Sequence, residues 1–203
     1  MYEMIDVSSN NHNVSETIDW KSVKAAGVSG VMIKATQGTN YTNPYLKGDN
    51  GCQSDYEDAR SAGLDVGFYH YADTGRWQDE LHHFLVTIKG LSKQLGCALD
   101  LENTYGRSWR QVSNWAQSFL AGLQQNVDWA ILYNDPSFLA NMSGGAVWGY
   151  FLWLADYPST IGNLSRPPRR RIWAWQYDAF GRIDGIGGMV DKSVLYVPPG
   201  SLH

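Results

Sequence analysis

Short apolar runs along this chain alternate with stretches whose apolar positions recur every three to four residues. The runs at 4–9 (MIDVSS), 30–36 (GVMIKAT), 65–71 (DVGFYHY), 95–102 (LGCALDLE), 128–134 (DWAILYN), 150–157 (YFLWLADY), 172–177 (IWAWQY) and 194–197 (VLYV) predict eight strands. Amphipathic stretches between the early strands predict helices at 18–27, 54–63, 77–91 and 108–125. Asp19 and Ser108 are the expected N-caps, and Gly27 and Gly63 close the first two helices. Beyond the fifth strand, helices look short or missing.

Strand and helix alternating at this spacing imply parallel βαβ units and the α/β class. Eight strands in 203 residues fit a TIM-like, irregular (β/α) barrel of about eight strands with fewer, partly missing helices. A doubly wound open sheet is the competing architecture. It normally carries a glycine-rich phosphate turn after its first strand, and this chain reads DVSSNNHN there. The length fits one domain. Residues 1–197 are expected to form the barrel, and 198–203 (PPGSLH) a C-terminal tail or the start of a linker.

The run GCALDLEN (96–103) carries two acids inside an apolar strand. Residues two apart on a strand share a face, so Ala98, Asp100 and Glu102 point one way, and Cys97, Leu99 and Leu101 the other. The leucines suit a helix layer, which leaves the acids for the barrel mouth. In such barrels function sits where the strands end. Collecting the polar residues there adds Asp6, Lys34, Tyr69, His70, Tyr71, Tyr133, Asp156 and Gln176, with Asp191 before the last strand. Like charges this close cannot comfortably both ionise, so one pKa should rise. A protonated carboxyl beside an ionised one is the equipment of glycoside hydrolysis. The plainer alternative is a structural ion pair with Lys34 or an arginine.

Composition changes this picture little. The 9 Trp, 12 Tyr and 6 Phe serve equally as core packing or as flat platforms for sugar rings. A net charge of −4 gives no reason to expect nucleic-acid binding. The one basic cluster, SRPPRRR at 165–171, reads as a solvated loop or, at Arg169, Arg170 and Arg171, as a contact for an anionic wall polymer. His82 and His83 are helical neighbours that diverge, and His12 and His70 lack metal-ligand spacing, so no metal or other cofactor is expected. No GxSxG elbow marks a serine hydrolase. Cys52 and Cys97 show no CxxC spacing; Cys97 reads as a buried thiol, and a bridge between the two stays open. The N-terminus lacks the basic start and apolar core of a signal peptide, and no apolar run reaches membrane-spanning length. The expectation is a monomer made in the cytoplasm without a signal peptide; if it works outside the cell, something else must release it.

Eight motifs in order resemble one family: DVSSNN, VMIKATQGTNYTNP (31–44), GLDVGFYHY (63–71), ALDLE (98–102), ILYN (131–134), LWLADY (152–157), WQY (175–177) and DGIGGMVD (184–191). The chain resembles glycoside hydrolase family 25, the Chalaropsis-type lysozymes or N-acetylmuramidases, which include many phage endolysins. The resemblance implies a β/α barrel with fewer helices than strands. It also implies hydrolysis of the β-1,4 bond between N-acetylmuramic acid and N-acetylglucosamine in peptidoglycan. By position, Glu102 matches the general acid, Asp100 the second acid of the DxE pair, and Asp6 and Asp191 the other rim acids. Lys34, Tyr41, Tyr69, Tyr133 and Trp153 fall where the family contacts sugar. Where many members carry Gln and Gly after the first Asp, this chain reads SSNNHNVSETIDW, which alters one subsite. Two readings compete with hydrolysis of peptidoglycan. One is a wall-binding barrel that has lost activity. The other is a barrel chitinase, whose strand pattern needs an acid where Ala98 stands.

Overall fold

The computed structural model describes residues 2–15, 17–142, 147–157 and 172–196. The basic cluster at 165–171, the SGG at 143–145 and the tail at 198–203 lie outside them.

Eight strands close into a barrel in the order β1 (Tyr2–Val7), β2 (Val28–Gln37), β4 (Asp65–Tyr71), β5 (Cys97–Asp100), β6 (Ala130–Asn134), β7 (Phe151–Ala155), β8 (Ile172–Gly181) and β9 (Val190–Leu195), which returns to β1. The short β3 (Tyr41–Thr42) pairs antiparallel with the far end of β2, where β1 has run out. Among the described residues five α-helices accompany the strands: α1 (Trp20–Ala25), α2 (Asp55–Ser61), α3 (Trp77–Thr87), α4 (Trp109–Gln124) and α5 (Pro136–Asn141).

The four anticipated helices form where expected, up to four residues shorter at their ends. Asp19 accepts from the backbone of Lys21 and Ser22, and Gly27 follows the α1 C-cap at φ +98°. In α4, Ser108 and Gln111 satisfy each other's backbone in a capping box. The small α5 starts with Asp135 as cap and Pro136 in its first turn.

One feature corrects the parallel expectation: β9 runs antiparallel to both of its neighbours. The linker from β8 to β9, residues 182–189, is of hairpin length, whereas a parallel crossover needs about a dozen residues or more. The reversal carries the start of β9, and Asp191 with it, to the rim where the parallel strands end. In the register, Asp191 lies directly opposite Asp6 of β1.

Alternation divides the core into two clusters. Ile5, Val31, Phe68, Leu99 and Leu132 face outward under the helices, while Met4, Met32, Ala98, Ile131, Trp153 and Trp173 fill the barrel. A slip of register at Ala35 turns Thr36 outward, to the buried His70, while Lys34 stays inward. Leu95 and Trp129 pack at the lower end and help fill the barrel below its upper mouth.

Cys52 and Cys97 are free thiols, and burial pushes the Cys97 thiol up to about 12. Among the described residues no helix is long and apolar enough to cross a membrane.

Candidate active site

The mouth of the barrel holds a cavity of about 210 Å³. It is lined by Asp6, Asp100, Glu102 and Asp191, by Lys34, Tyr69, Tyr71, Tyr133 and Trp153, and by Ser8 and Asn10 of the β1–α1 loop. A second hollow of about 180 Å³ adjoins it across Asp6, Tyr69 and Asp191 and runs toward Asn11 and Met189. Eight of the nine residues predicted for the site therefore meet in one place. The ninth, Tyr41, lies to the side: its hydroxyl bonds to the Ser9 hydroxyl (2.7 Å) and its ring sits 5.6 Å from the Lys34 ammonium.

Strand parity puts the acids there. Met4 and Asp6 of β1, and Ala98 and Asp100 of β5, alternate with residues that face the helices. Asp100 is 6% exposed and Asp6 9%, whereas Glu102, just past the end of β5, is open to solvent.

The four carboxyls form two pairs, each with a deep and an outer member. Burial, then the negative charge of Asp191, hold Asp6 well above the usual carboxylate range. Burial, then the charges of Glu102 and Asp6, do the same to Asp100. In both pairs the contact raises the deep acid and lowers its outer partner: Asp6 against Asp191, and Asp100 against Glu102. Burial also raises Glu102, against the attraction of Lys34 and the contact with Asp100. Asp191 is pushed up to about 6 by burial, with Glu102 and Asp178 adding their repulsion. One Asp100 oxygen, Oδ1, has no hydrogen-bond partner and is shut off from solvent.

Lys34 does not form the structural ion pair that would have explained these acids away. Its ammonium donates to Gln37 Oε1 (2.8 Å) and stands 4.6 Å from the centre of the Tyr71 ring. The ion pairs among the described residues lie elsewhere, at Arg76–Asp79 and Lys192–Glu3, and two buried histidines, His12 and His70, contact Asp55 and Glu80. Burial lowers the Lys34 pKa, while the charges of Asp100, Asp73 and Glu102 oppose that shift.

Gln176 of β8 is the polar hub of the site, and the strand-end survey assigned it no role. Its Nε2 donates to Asp6 Oδ2 (2.9 Å), and its Oε1 accepts from Tyr133 (2.7 Å) and Tyr157 (2.6 Å). This orients Asp6 and uses the Tyr133 hydroxyl within the protein. Trp153 is 2% exposed, donates to Ser193 Oγ (3.0 Å) and meets Tyr133 edge to face, so it forms the floor of the mouth. Tyr157 and Asp178 are further rim residues. Their signal was their place just past the end of β7 and two residues beyond Gln176 in β8.

The raised pKa of Asp191 fixes the sign of a pH effect. A folded value of about 6 against 3.8 means that the folded state binds the extra proton between pH ~4 and ~6. Stability contributed by this group is present at lower pH and lost as pH rises through that window. Asp191→Asn removes the loss. Thermal melts should show no change near pH 4 and a higher melting temperature above pH 7. An equal shift at both pH values would contradict the assignment.

The sequence profile of Glycosyl hydrolases family 25 matches residues 5–186. The autolytic lysozyme of Clostridium acetobutylicum is 33% identical over 175 residues, which cover 86% of this chain and 51% of that protein. Lysozyme M1 of Streptomyces globisporus is 30% identical over 193 residues, 87% of this chain and 63% of that protein. The chain thus spans between half and two thirds of these relatives. A crystal structure of the bacterial lysozyme from Streptomyces coelicolor superimposes with a TM-score of 0.79 at 29% identity, covering 96% of this chain and 92% of the other.

Proposed function

The chain belongs to glycosyl hydrolases family 25, and on that premise we propose that it is a lysozyme. It hydrolyses the β-1,4 bond between N-acetylmuramic acid and N-acetylglucosamine in bacterial peptidoglycan. The observation that carries this reading is the convergence of four carboxyls at one mouth, the buried Asp6 and Asp100 each beside a more open partner.

Glu102 is the general acid/base. It protonates the leaving oxygen and then activates water. Asp100 supports it as a buried proton store, since a proton shared within the pair passes to Glu102 when the leaving oxygen comes within reach. Two routes complete the reaction on the other face of the sugar. In the favoured one the substrate's own acetamido oxygen attacks the anomeric carbon and Asp100 orients that group. In the other a carboxylate such as Asp6 attacks. Both retain the anomeric configuration. Asp6, Asp191 and Gln176 surround the developing positive charge, and Lys34, Tyr69, Tyr133 and Trp153 shape the sugar site, with Tyr41 at its flank.

Residues 1–197 act as the catalytic unit, and 198–203 as a tail or linker. The protein works as a monomer on the cell wall after release. Arg169, Arg170 and Arg171 offer a contact to anionic wall polymers.

Two assays separate this from its rivals. Purified peptidoglycan should yield new reducing ends on incubation with the protein, and crystalline chitin should yield few. Absence of reducing ends from peptidoglycan would favour a binding barrel, and equal release from chitin a chitinase.

A further inference from the structure

Tyr105 occupies a position that turn chemistry ordinarily gives to another residue. The backbone of Arg107 donates to Thr104 O (3.0 Å), closing a turn whose central residues, Tyr105 and Gly106, have φ +49° and +76°. Turns with both central residues at positive φ favour Asn, Asp or Gly, because a larger side chain is strained there. Packing does not offset this strain, since Tyr105 is 45% exposed. Its side chain is nonetheless held. The Tyr105 backbone donates to Asn103 Oδ1 (2.8 Å), and its hydroxyl donates to Asp73 Oδ1 (3.3 Å).

This arrangement continues the wall of the cavity. Asp73 Oδ1 also accepts from Gln37 Nε2 (3.1 Å), whose amide oxygen holds Lys34 (2.8 Å). Tyr71, whose ring stands 4.6 Å from the Lys34 ammonium, lines the cavity at this side. An open aromatic face with a carboxylate at its edge has the chemistry of a sugar-binding position: the ring meets the apolar face of a pyranose, and the carboxylate accepts from its hydroxyl or acetamido N–H groups. A local rule broken without a packing benefit points to function.

We propose that Tyr105 and Asp73 bind one further N-acetylhexosamine of a glycan strand, next to Tyr71 and beyond the sugars held at the four acids. This rests on the glycan-hydrolase reading above. The test measures binding of peptidoglycan glycan fragments, from disaccharide to octasaccharide, by titration calorimetry to the full chain carrying Glu102→Gln, so that nothing is cleaved. Adding Tyr105→Asn, a residue suited to the turn, should leave the melting temperature unchanged or higher. It should weaken the octasaccharide about tenfold while changing the disaccharide less than twofold. Tyr105→Phe keeps the ring and should stay within about threefold for both. Equal effects of Tyr105→Asn on both lengths, no effect on either, or a fall in melting temperature would each overturn the proposal. A Glu102→Gln protein that binds no fragment of any length would overturn the glycan reading itself, and this position with it.

Discussion

Glu102→Gln should lower the rate of peptidoglycan hydrolysis about a thousandfold or more, with the fold at least as stable as before. The two effects have separate causes. Gln keeps the shape of the side chain and can donate a hydrogen bond, but it cannot give up a proton to a leaving oxygen or take one from water. Glu102 has an exposed side at the rim and belongs to no ion pair among the described residues. Its charge also raises the pKa values of Asp100 and Asp191, so its removal relieves repulsion in the mouth. A turbidity assay on cell walls beside a thermal melt reads both quantities. Lysis within about tenfold of the parent would remove Glu102 from the role of general acid.

Asp100→Asn should cost about a hundredfold in rate and move the alkaline limb of the pH profile to lower pH. Asp100 is buried and held well above the usual carboxylate range, which suits it to hold a proton beside Glu102. An amide in its place still donates to Glu102 and favours the ionised form, but it stores no proton. The pH at which Glu102 loses its proton should therefore fall. Stability should hold or improve, because the Asp100 Oδ1 is already without a partner. A loss of rate with an unmoved alkaline limb would leave Asp100 with the acetamido group alone and end the proton-store account. Either route on the far face also requires retention. An inverted anomer, seen by proton NMR of the first-formed product, would exclude both.

The sequence made the acid pair legible through one rule, the period of two along a strand. Asp6 and Asp100 fall on the inward parity of β1 and β5, and Glu102 continues that parity past the end of β5. The helices were legible from their caps, because Asp19 and Ser108 bond the backbone groups that helix starts leave open. The direction of β9 was harder to see, since a short apolar run carries no sign of its orientation. Only the length of the linker before it bears on that, and Asp191 reaches the correct rim because the strand reverses. Gln176 stayed unassigned because its role depends on three partners from β1, β6 and the end of β7, which only closure of the barrel brings together. The tiny β3 and the single-turn α5 are too short for periodicity to mark. The SSNNHN segment departs from the usual family pattern, yet Ser8 and Asn10 line the cavity. Its His12 is buried against Asp55 (Nε2 to Oδ2, 3.0 Å) and stacks on Tyr45, anchoring the loop to the outer layer.

The central claim is that this mouth of four carboxyls breaks one particular bond of peptidoglycan, and the sugar that carries the new reducing end tests it most directly. Borohydride reduction of the released fragments followed by mass spectrometry identifies that sugar. The account predicts reduced N-acetylmuramic acid at the new end. Reduced N-acetylglucosamine there would contradict it.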